Sequence, residues 1–278
     1  MTRRLALLLM GGLVACSAAP PPVGLPAPVG PVMVRIGIEP ADLWTVLEEA
    51  PASSSERRAA LSELFRTVGC DDLEAGESRA APVVCRLPGE TSRTVLVTSD
   101  YSRAGMRTSD GWPGAAMLPG LYHSLAVEPR HHTFVFVAFD RPRVGPKAER
   151  WPVSRALDAL RPEERTELEA VVGVRGLNEY HFGVVRTGAD PGLFVDLHTV
   201  GESLSMPVKN RRAQRPSDLM GEAKLQRGDP APVPGLSVAV AERGLSDYLD
   251  SFRIMAAFLA YVDEAFERRR AEGPPVPR

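Results

Sequence analysis

The run Thr133-Phe134-Val135-Phe136-Val137-Ala138-Phe139 decides the fold, because six of its seven residues are apolar and nothing polar interrupts it after Thr133. A run of this kind is typical of a strand buried on both faces, as in parallel sheets covered by helices. Apolar and β-branched runs predict further strands at 83–87, 94–97, 171–174 and 236–241. Apolar residues at helical spacing predict helices at 43–47, 61–65, 115–125, 157–169 and 248–270.

This alternation of strands and helices predicts an α/β fold, with a mixed, mostly parallel central sheet and helices on both faces. The strands at 83–87 and 94–97 are expected to be neighbours in the sheet, joined by a turn at Pro88-Gly89. The chain has 278 residues, of which 44% are hydrophobic, so it can bury a substantial core. Its formal net charge of -2 leaves no basic excess to neutralise a phosphate backbone, which argues against nucleic-acid binding.

The first residues have the pattern of an export signal. Thr2-Arg3-Arg4 supplies a positive start, and the apolar stretch from Leu5 to Val14 is too short to span a bilayer. The stretch ends in Leu13-Val14-Ala15-Cys16, which resembles the bacterial lipobox. We therefore expect residues 1–15 to be a lipoprotein signal peptide and Cys16 to carry the lipid.

Residues 16–32 are rich in Pro and Ala, which favours an extended tether before a single domain at 33–278. The protein is thus expected to be exported and held on a membrane through Cys16. Ser17 after the cysteine favours the outer membrane of a double-membraned bacterium.

Cys70 and Cys85 remain once Cys16 is lipidated, and they flank a polar loop. An even number of cysteines in an oxidising compartment predicts a disulfide, which would contribute about 3 kcal/mol in the chain-entropy model. Two unpaired thiols are the alternative.

Five segments together resemble a known family, and they follow one another in the family's order. They are Val84-Cys85-Arg86-Leu87-Pro88-Gly89 with Thr94-Val95-Leu96-Val97, Asp110-Gly111-Trp112-Pro113-Gly114-Ala115-Ala116-Met117-Leu118, His132 to Phe139, Ala170-Val171-Val172-Gly173-Val174, and Tyr248 to Phe266. They resemble the core strands, the turn into a helix and the closing helix of the zinc aminopeptidase family, which also contains glutamate carboxypeptidase and glutaminyl cyclase. The likeness covers roughly residues 61–266 and implies a zinc-aminopeptidase-like domain.

Members of that family hold two zinc ions with two histidines and three carboxylates, and a glutamate acts as the general base. The resemblance places Asp100 where the family has its first histidine, and Ser102 where an aspartate orients that histidine. Asp110 matches the aspartate that bridges the two ions. Asp100 and Asp110 are therefore the candidate metal ligands of a vestigial or altered site.

The remaining base and ligand positions of the family are occupied here by residues that cannot act as a base or bind zinc. Pro142 and Arg143 stand where the family has the base and a ligand glutamate, and Arg175 stands where it has a ligand aspartate. The last histidine of the chain is His198, too early to match the family's late ligand. Because arginine brings a fixed positive charge, the resemblance implies a degenerate site that binds no cofactor. A further hypothesis pairs Arg143 and Arg175 with Asp100 and Asp110.

Two functions follow from these residues. The first is a non-catalytic pseudo-peptidase that acts as a binding or scaffolding module for peptides or envelope proteins. The alternative is an active aminopeptidase-type hydrolase or cyclase, either with one metal ion such as zinc held by Asp100, Asp110 and a displaced acid, Asp140, or with metal-free chemistry. The adjacent His131-His132 pair is expected at the start of a strand or on the surface, because neighbours in a strand point to opposite faces and cannot share one ion.

Overall fold

The computed structural model describes residues 40–76, 78, 81–103, 110–140, 153–179, 181–185, 189–211, 233–241 and 244–272. The helices are α1 (Pro40–Glu48), α2 (Ser54–Thr67), α3 (Trp112–Leu125), α4 (Val153–Asp158), α5 (Pro162–Thr166), α6 (Pro191–Ser203) and α7 (Leu245–Glu272). The strands are β1 (Asp72–Ala75), β2 (Val83–Leu87), β3 (Thr94–Asp100), β4 (Thr133–Phe139), β5 (Leu168–Glu179), β6 (Gly183–Val185), β7 (Lys209–Arg211) and β8 (Gly235–Ala241).

The eight strands form one sheet in the order β1-β2-β4-β3-β5-β8-β6-β7. The central strands β4, β3, β5 and β8 run parallel to their neighbours within that group. Antiparallel pairs join β1 to β2, β2 to β4 and β6 to β8. The sheet is therefore mixed and mostly parallel at its centre, as the sequence predicted.

The prediction that β2 and β3 are neighbours is wrong, because β4 lies between them. The residues that follow Pro88 do not form a tight hairpin. Instead, the backbone N–H groups of Glu90 and Thr91 donate to the carbonyl oxygens of Arg130 and His131, just before β4. The connection thus crosses the start of β4 and leaves room for the most apolar strand at the centre of the sheet.

Helices cover both faces of the sheet. One face packs against α2, α3, α6 and α7 in a single large hydrophobic cluster. The other face packs against Ala156 and Leu157 of α4 and Leu160 just after it, together with Val84, Leu96 and Val135 of the sheet. The alternating side chains of each central strand divide between these two clusters, which explains why the β4 sequence is apolar throughout.

Local rules fix the ends of α2. Ser53 and Glu56 form a capping box at its start. Gly69 follows its end with φ 85°, a conformation that glycine adopts without steric cost. Cys70 is bonded to Cys85 of β2, which confirms the predicted disulfide. Of the helices that the structure describes, none combines the length and the apolar character needed to cross a membrane.

Candidate functional site

Two of the residues singled out from the sequence lie at the carboxyl edge of the central strands. Asp100 is the last residue of β3, and Arg175 lies two residues beyond Gly173 of β5. Gly173 is in register with Thr98, which lies two residues before Asp100. Continuing this register puts Asp100 and Arg175 at the same level of adjacent strands, and both side chains are buried.

The first turn of α3 packs against this edge. A Cβ atom at Gly111 would overlap the carboxylate of Asp100, and a Cβ atom at Gly114 would lie 2.6 Å from the carbonyl oxygen of Val174. Only glycine permits so close an approach of two backbones. The N–H of Gly111 donates to the carbonyl oxygen of buried Ser102, at 2.9 Å. The Asp-Gly-Trp-Pro-Gly turn therefore brings the start of α3 onto the ends of β3 and β5.

The carboxylate of Asp110 is bound by an arginine of α2. Nη1 of Arg57 lies 2.5 Å from Oδ1 of Asp110, and Nη2 lies 2.9 Å from Oδ2, so the pair is bidentate. The Arg57 side chain is 3% exposed, whereas that of Asp110 is 36% exposed. Oδ1 of Asp110 also accepts a hydrogen bond from the backbone N–H of Trp112, at 2.9 Å, which fixes the carboxylate at the start of α3.

The other contacts of Arg57 are to backbone oxygens and to an indole ring. Its Nε donates to the carbonyl oxygen of Pro51 at 2.9 Å, and its Nη1 donates to those of Tyr101 and Ser102 at 3.2 and 3.1 Å. The ring of Trp112 lies 5.6 Å from the guanidinium carbon, within the range of a cation–π contact. One buried cation thus joins the α1–α2 connection, the end of β3 and the start of α3.

The carboxylate of Asp110 is therefore bound by Arg57, an arginine that the sequence did not suggest. The hypothesis pairs Arg143 and Arg175 with Asp100 and Asp110, and it stays a prediction: Arg175 lies at the level of Asp100 on the adjacent strand, and Arg143 is not among the described residues. Arg57 was missed because it lies 53 residues away, on a helix whose sequence shows no unusual motif. Cys16, Pro142 and Arg143 lie outside the described residues.

Tyr101 and Asp140 extend the same edge towards β4. Burial and, to a smaller extent, the negative charge of Asp140 raise the pKa of Tyr101 to about 12. The phenol is thus neutral at physiological pH, and its Oη donates to the carbonyl oxygen of Ala81 at 3.3 Å. Oδ1 of Asp140 is buried and has no hydrogen-bond partner within the described part of the chain.

The described residues do not reproduce the two-zinc site of the family that the sequence resembles. Within the ranges that the structure describes, no three His, Cys, Asp or Glu side chains are grouped so that they could hold a metal ion. Zinc in proteins is bound by imidazole, thiolate and carboxylate groups. Here the matching carboxylate, Asp110, is bound instead by a guanidinium, whose positive charge is permanent.

The histidine pair lies at the opposite, amino edge of the central strands. Nδ1 of half-exposed His131 is 2.9 Å from Oε2 of Glu90. His132 is fully buried, and its Nδ1 lies 2.8 Å from Oδ1 of Asp263 while its Nε2 lies 3.0 Å from Oε2 of Glu169. Since carboxylates only accept hydrogen bonds, His132 is an imidazolium. The two histidines have separate partners, in line with the expectation that they do not share an ion.

Burial lowers the pKa of His132, but the hydrogen bonds to Asp263 and Glu169 outweigh this effect and raise the pKa to about 9. Asp263 also accepts hydrogen bonds from the backbone N–H groups of His131 and His132, at 3.1 and 2.8 Å. No sequence motif predicted this cluster, because its members come from three distant segments.

The fold is that of the zinc aminopeptidases and glutaminyl cyclases, as the resemblance predicted. The LapA aminopeptidase of Legionella pneumophila aligns with a TM-score of 0.55 and 14% identity, over 81% of this chain and 72% of that chain. The glutaminyl cyclase of an Acidobacteriales bacterium aligns with a TM-score of 0.54 and 13% identity, over 88% and 99% of the two chains. The glutaminyl cyclase of Fimbriiglobus ruber aligns with a TM-score of 0.54 and 13% identity, over 81% and 96%.

No protein-family model matches the chain, and no curated protein matches it by sequence. At the identities of the structural neighbours, the similarity establishes the fold alone.

Proposed function

We propose that this chain is an exported, lipid-anchored pseudo-peptidase, which binds or scaffolds partners in the cell envelope without hydrolysing them. The fold shared with aminopeptidases and glutaminyl cyclases supports a peptidase-like domain. The positive start, the short apolar stretch and the lipobox-like sequence before Cys16 support export and anchoring.

The observation that carries the proposal is the bidentate pair of Arg57 and Asp110. Asp110 is the position that the resemblance assigns to the metal-bridging carboxylate, and both of its oxygens are bound by one guanidinium. A metal dication at the same carboxylate would lie close to a buried positive charge that cannot be neutralised by deprotonation. The guanidinium therefore takes the electrostatic role that a metal ion has in the active relatives.

The test is the zinc content of the purified chain after equilibration with zinc, measured beside hydrolysis of aminoacyl and N-terminally blocked peptides. The matched control is Asp110→Asn, which removes the charge of the carboxylate and keeps its shape. We expect both proteins to carry the same background level of zinc and to hydrolyse nothing. Two zinc ions per wild-type chain, or hydrolysis that Asp110→Asn abolishes, would overturn the proposal.

A second candidate is a hydrolase or cyclase with a single metal ion. It is favoured by the position of Asp100, Asp110 and Asp140 at one edge of the sheet, where α/β sites form. The buried Oδ1 of Asp140, unpartnered among the described residues, also favours it. One zinc ion per chain, together with peptide hydrolysis or cyclisation that Asp110→Asn removes, would support this candidate over the pseudo-peptidase.

A further inference from the structure

The carboxyl edge of the sheet continues on one side into a groove between α2 and β1. Ala75 is in register with Val83 of β2, and Val83 with Ala138 of β4, so β1 ends at the edge where β4 ends. The groove has a volume of about 540 Å³, and Arg58, Arg66 and Ala75 are among its lining residues. It is therefore a surface feature next to the Arg57–Asp110 pair but distinct from it.

One wall of the groove is an edge strand. Among the strands that the structure describes, β1 is the first of the sheet and pairs with β2 alone. Leu73 packs against the hydrophobic cluster beneath α2, so Ala75, two residues later, faces the same side. Asp72 and Glu74 point to the other side, where Arg161 binds both carboxylates. An edge strand presents backbone N–H and C=O groups that can pair with an added strand.

The other wall supplies a positive charge that no carboxylate of the described residues compensates. Nη1 of Arg58 donates to the carbonyl oxygens of Gly76 and Ser78, and its Nε is buried without a hydrogen-bond partner among the described residues. Arg66 differs, because it forms an ion pair with Glu63 at 3.1 Å. Arg58 is thus held in place by backbone carbonyls, and among the described residues no carboxylate pairs with it.

The disulfide holds α2 and β1, the two walls of the groove, at a fixed position relative to each other. It joins Cys70, just beyond the end of α2, to Cys85 of β2, which is the partner strand of β1. A groove fixed in this way loses little conformational freedom when a ligand binds.

We propose that the α2–β1 groove binds an extended acidic peptide segment, which adds as a strand to β1 and places a carboxylate on Arg58. Alternate side chains of an added strand face α2, and a glutamate at such a position would meet the guanidinium. The inference adds a surface and a partner chemistry to the proposed function. It requires neither Asp110 nor Arg57, so it can fail while that function stands.

The test measures fluorescence anisotropy of a labelled peptide of about eight alternating Glu and Val residues. The matched probe replaces each Glu with Gln. We expect the Glu peptide to bind wild-type chain at least about fivefold more tightly than the Gln peptide. Arg58→Met should abolish this preference, and Arg58→Lys should retain part of it. Arg66→Met, on the same helix, should leave it unchanged because the charge of Arg66 is already paired.

Three results would overturn the proposal. The first is equal binding, or no binding, of the two peptides to wild-type chain. The second is an undiminished preference in Arg58→Met when its circular dichroism and melting temperature match wild type. The third is sedimentation showing self-association that Arg58→Met removes, which would make a second copy of the chain the occupant. A Glu peptide with alternate amides N-methylated should bind more weakly, and equal binding would exclude strand addition.

Discussion

The two edges of the central strands each hold a carboxylate with a buried cation, but the two cations differ in chemistry. At the carboxyl edge, Asp110 is bound by the guanidinium of Arg57. At the amino edge, Asp263 is bound by the imidazolium of His132. A guanidinium stays charged at every pH at which proteins fold, whereas an imidazolium can lose its proton. One edge is therefore fixed in charge and the other can be titrated.

The two edges also differ in burial and in the number of groups involved. The side chain of Asp263 is 2% exposed, while that of Asp110 is 36% exposed. Around His132 the network extends through Glu267, which pairs with Arg93 at 2.5 Å and with Arg270 at 2.7 Å. This cluster fixes α7 to the starts of three strands. Losing its central cation should cost more than losing the cation of the carboxyl edge, because buried carboxylates are left without hydration.

The largest expected effect is that of His132→Gln, which would leave at least one buried carboxylate without its charged partner. We expect the free energy of unfolding in urea to fall by about 3 to 5 kcal/mol. The matched control is His131→Gln at the adjacent position, whose single pair with Glu90 is exposed. The control should change stability by less than about 0.5 kcal/mol. Equal effects of the two substitutions would contradict the difference in burial on which the comparison rests.

The next effect is the pH dependence of wild-type stability. The pKa of His132 is about 9 in the folded chain, above its ordinary value of about 6.5. The folded state binds this proton more tightly, so its contribution is complete below about pH 6.5 and disappears as the pH rises through 9. We expect the free energy of unfolding to fall by on the order of 3 kcal/mol across that window.

Urea titrations at several pH values measure this fall, and the His132→Gln variant gives the baseline for other groups. The difference between the two proteins should shrink as the pH approaches the folded pKa. A difference that is constant with pH would mean that His132 does not titrate in this window. Burial raises the pKa of Asp263, but its hydrogen bonds from His132 and the backbone lower it by more, so its contribution is lost only as acid protonates it.

The smallest expected effect is that of Arg57→Lys at the carboxyl edge. Lysine keeps the charge but cannot bind both oxygens of Asp110 and three backbone carbonyls in one plane. We expect a loss of about 2 kcal/mol in urea unfolding, without a change in its pH profile between about pH 6.5 and 9. Arg66→Lys on the same helix is the control, since its pair with Glu63 is exposed. A stability loss confined to one side of that pH range would show that the carboxyl edge is also titratable.

The sequence predicted the parts of the fold that depend on neighbouring residues. The apolar run at 133–139 became β4 with the predicted bounds. The helix predicted at 115–125 is α3, and it is continuous through Pro119. The edge strands β1 and β7 and the helix α6 were missed, because short polar strands and a helix begun by Asp190 give weak periodicity.

The candidate site was predicted only in part. The resemblance assigned Asp100 and Arg175 to ligand positions of the family, and the structure places both residues at the carboxyl edge of the sheet. The cation on Asp110 was missed, and so was the imidazolium on Asp263. No local sequence motif marks either residue. Arg57 lies within a helix, and His132 directly precedes a strand.

The sequence by itself determined the alternation of strands and helices and the pairing of Cys70 with Cys85. Hydrophobic periodicity depends only on neighbouring residues. Once Cys16 is lipidated, the two remaining cysteines leave only one possible disulfide. Only the tertiary structure decided the order of β2, β4 and β3, and the partners of Asp110 and Asp263. Those partners lie 53 and 131 residues away along the chain. Hydrophobic periodicity predicts that a side chain is buried, but it does not predict which distant side chain it contacts.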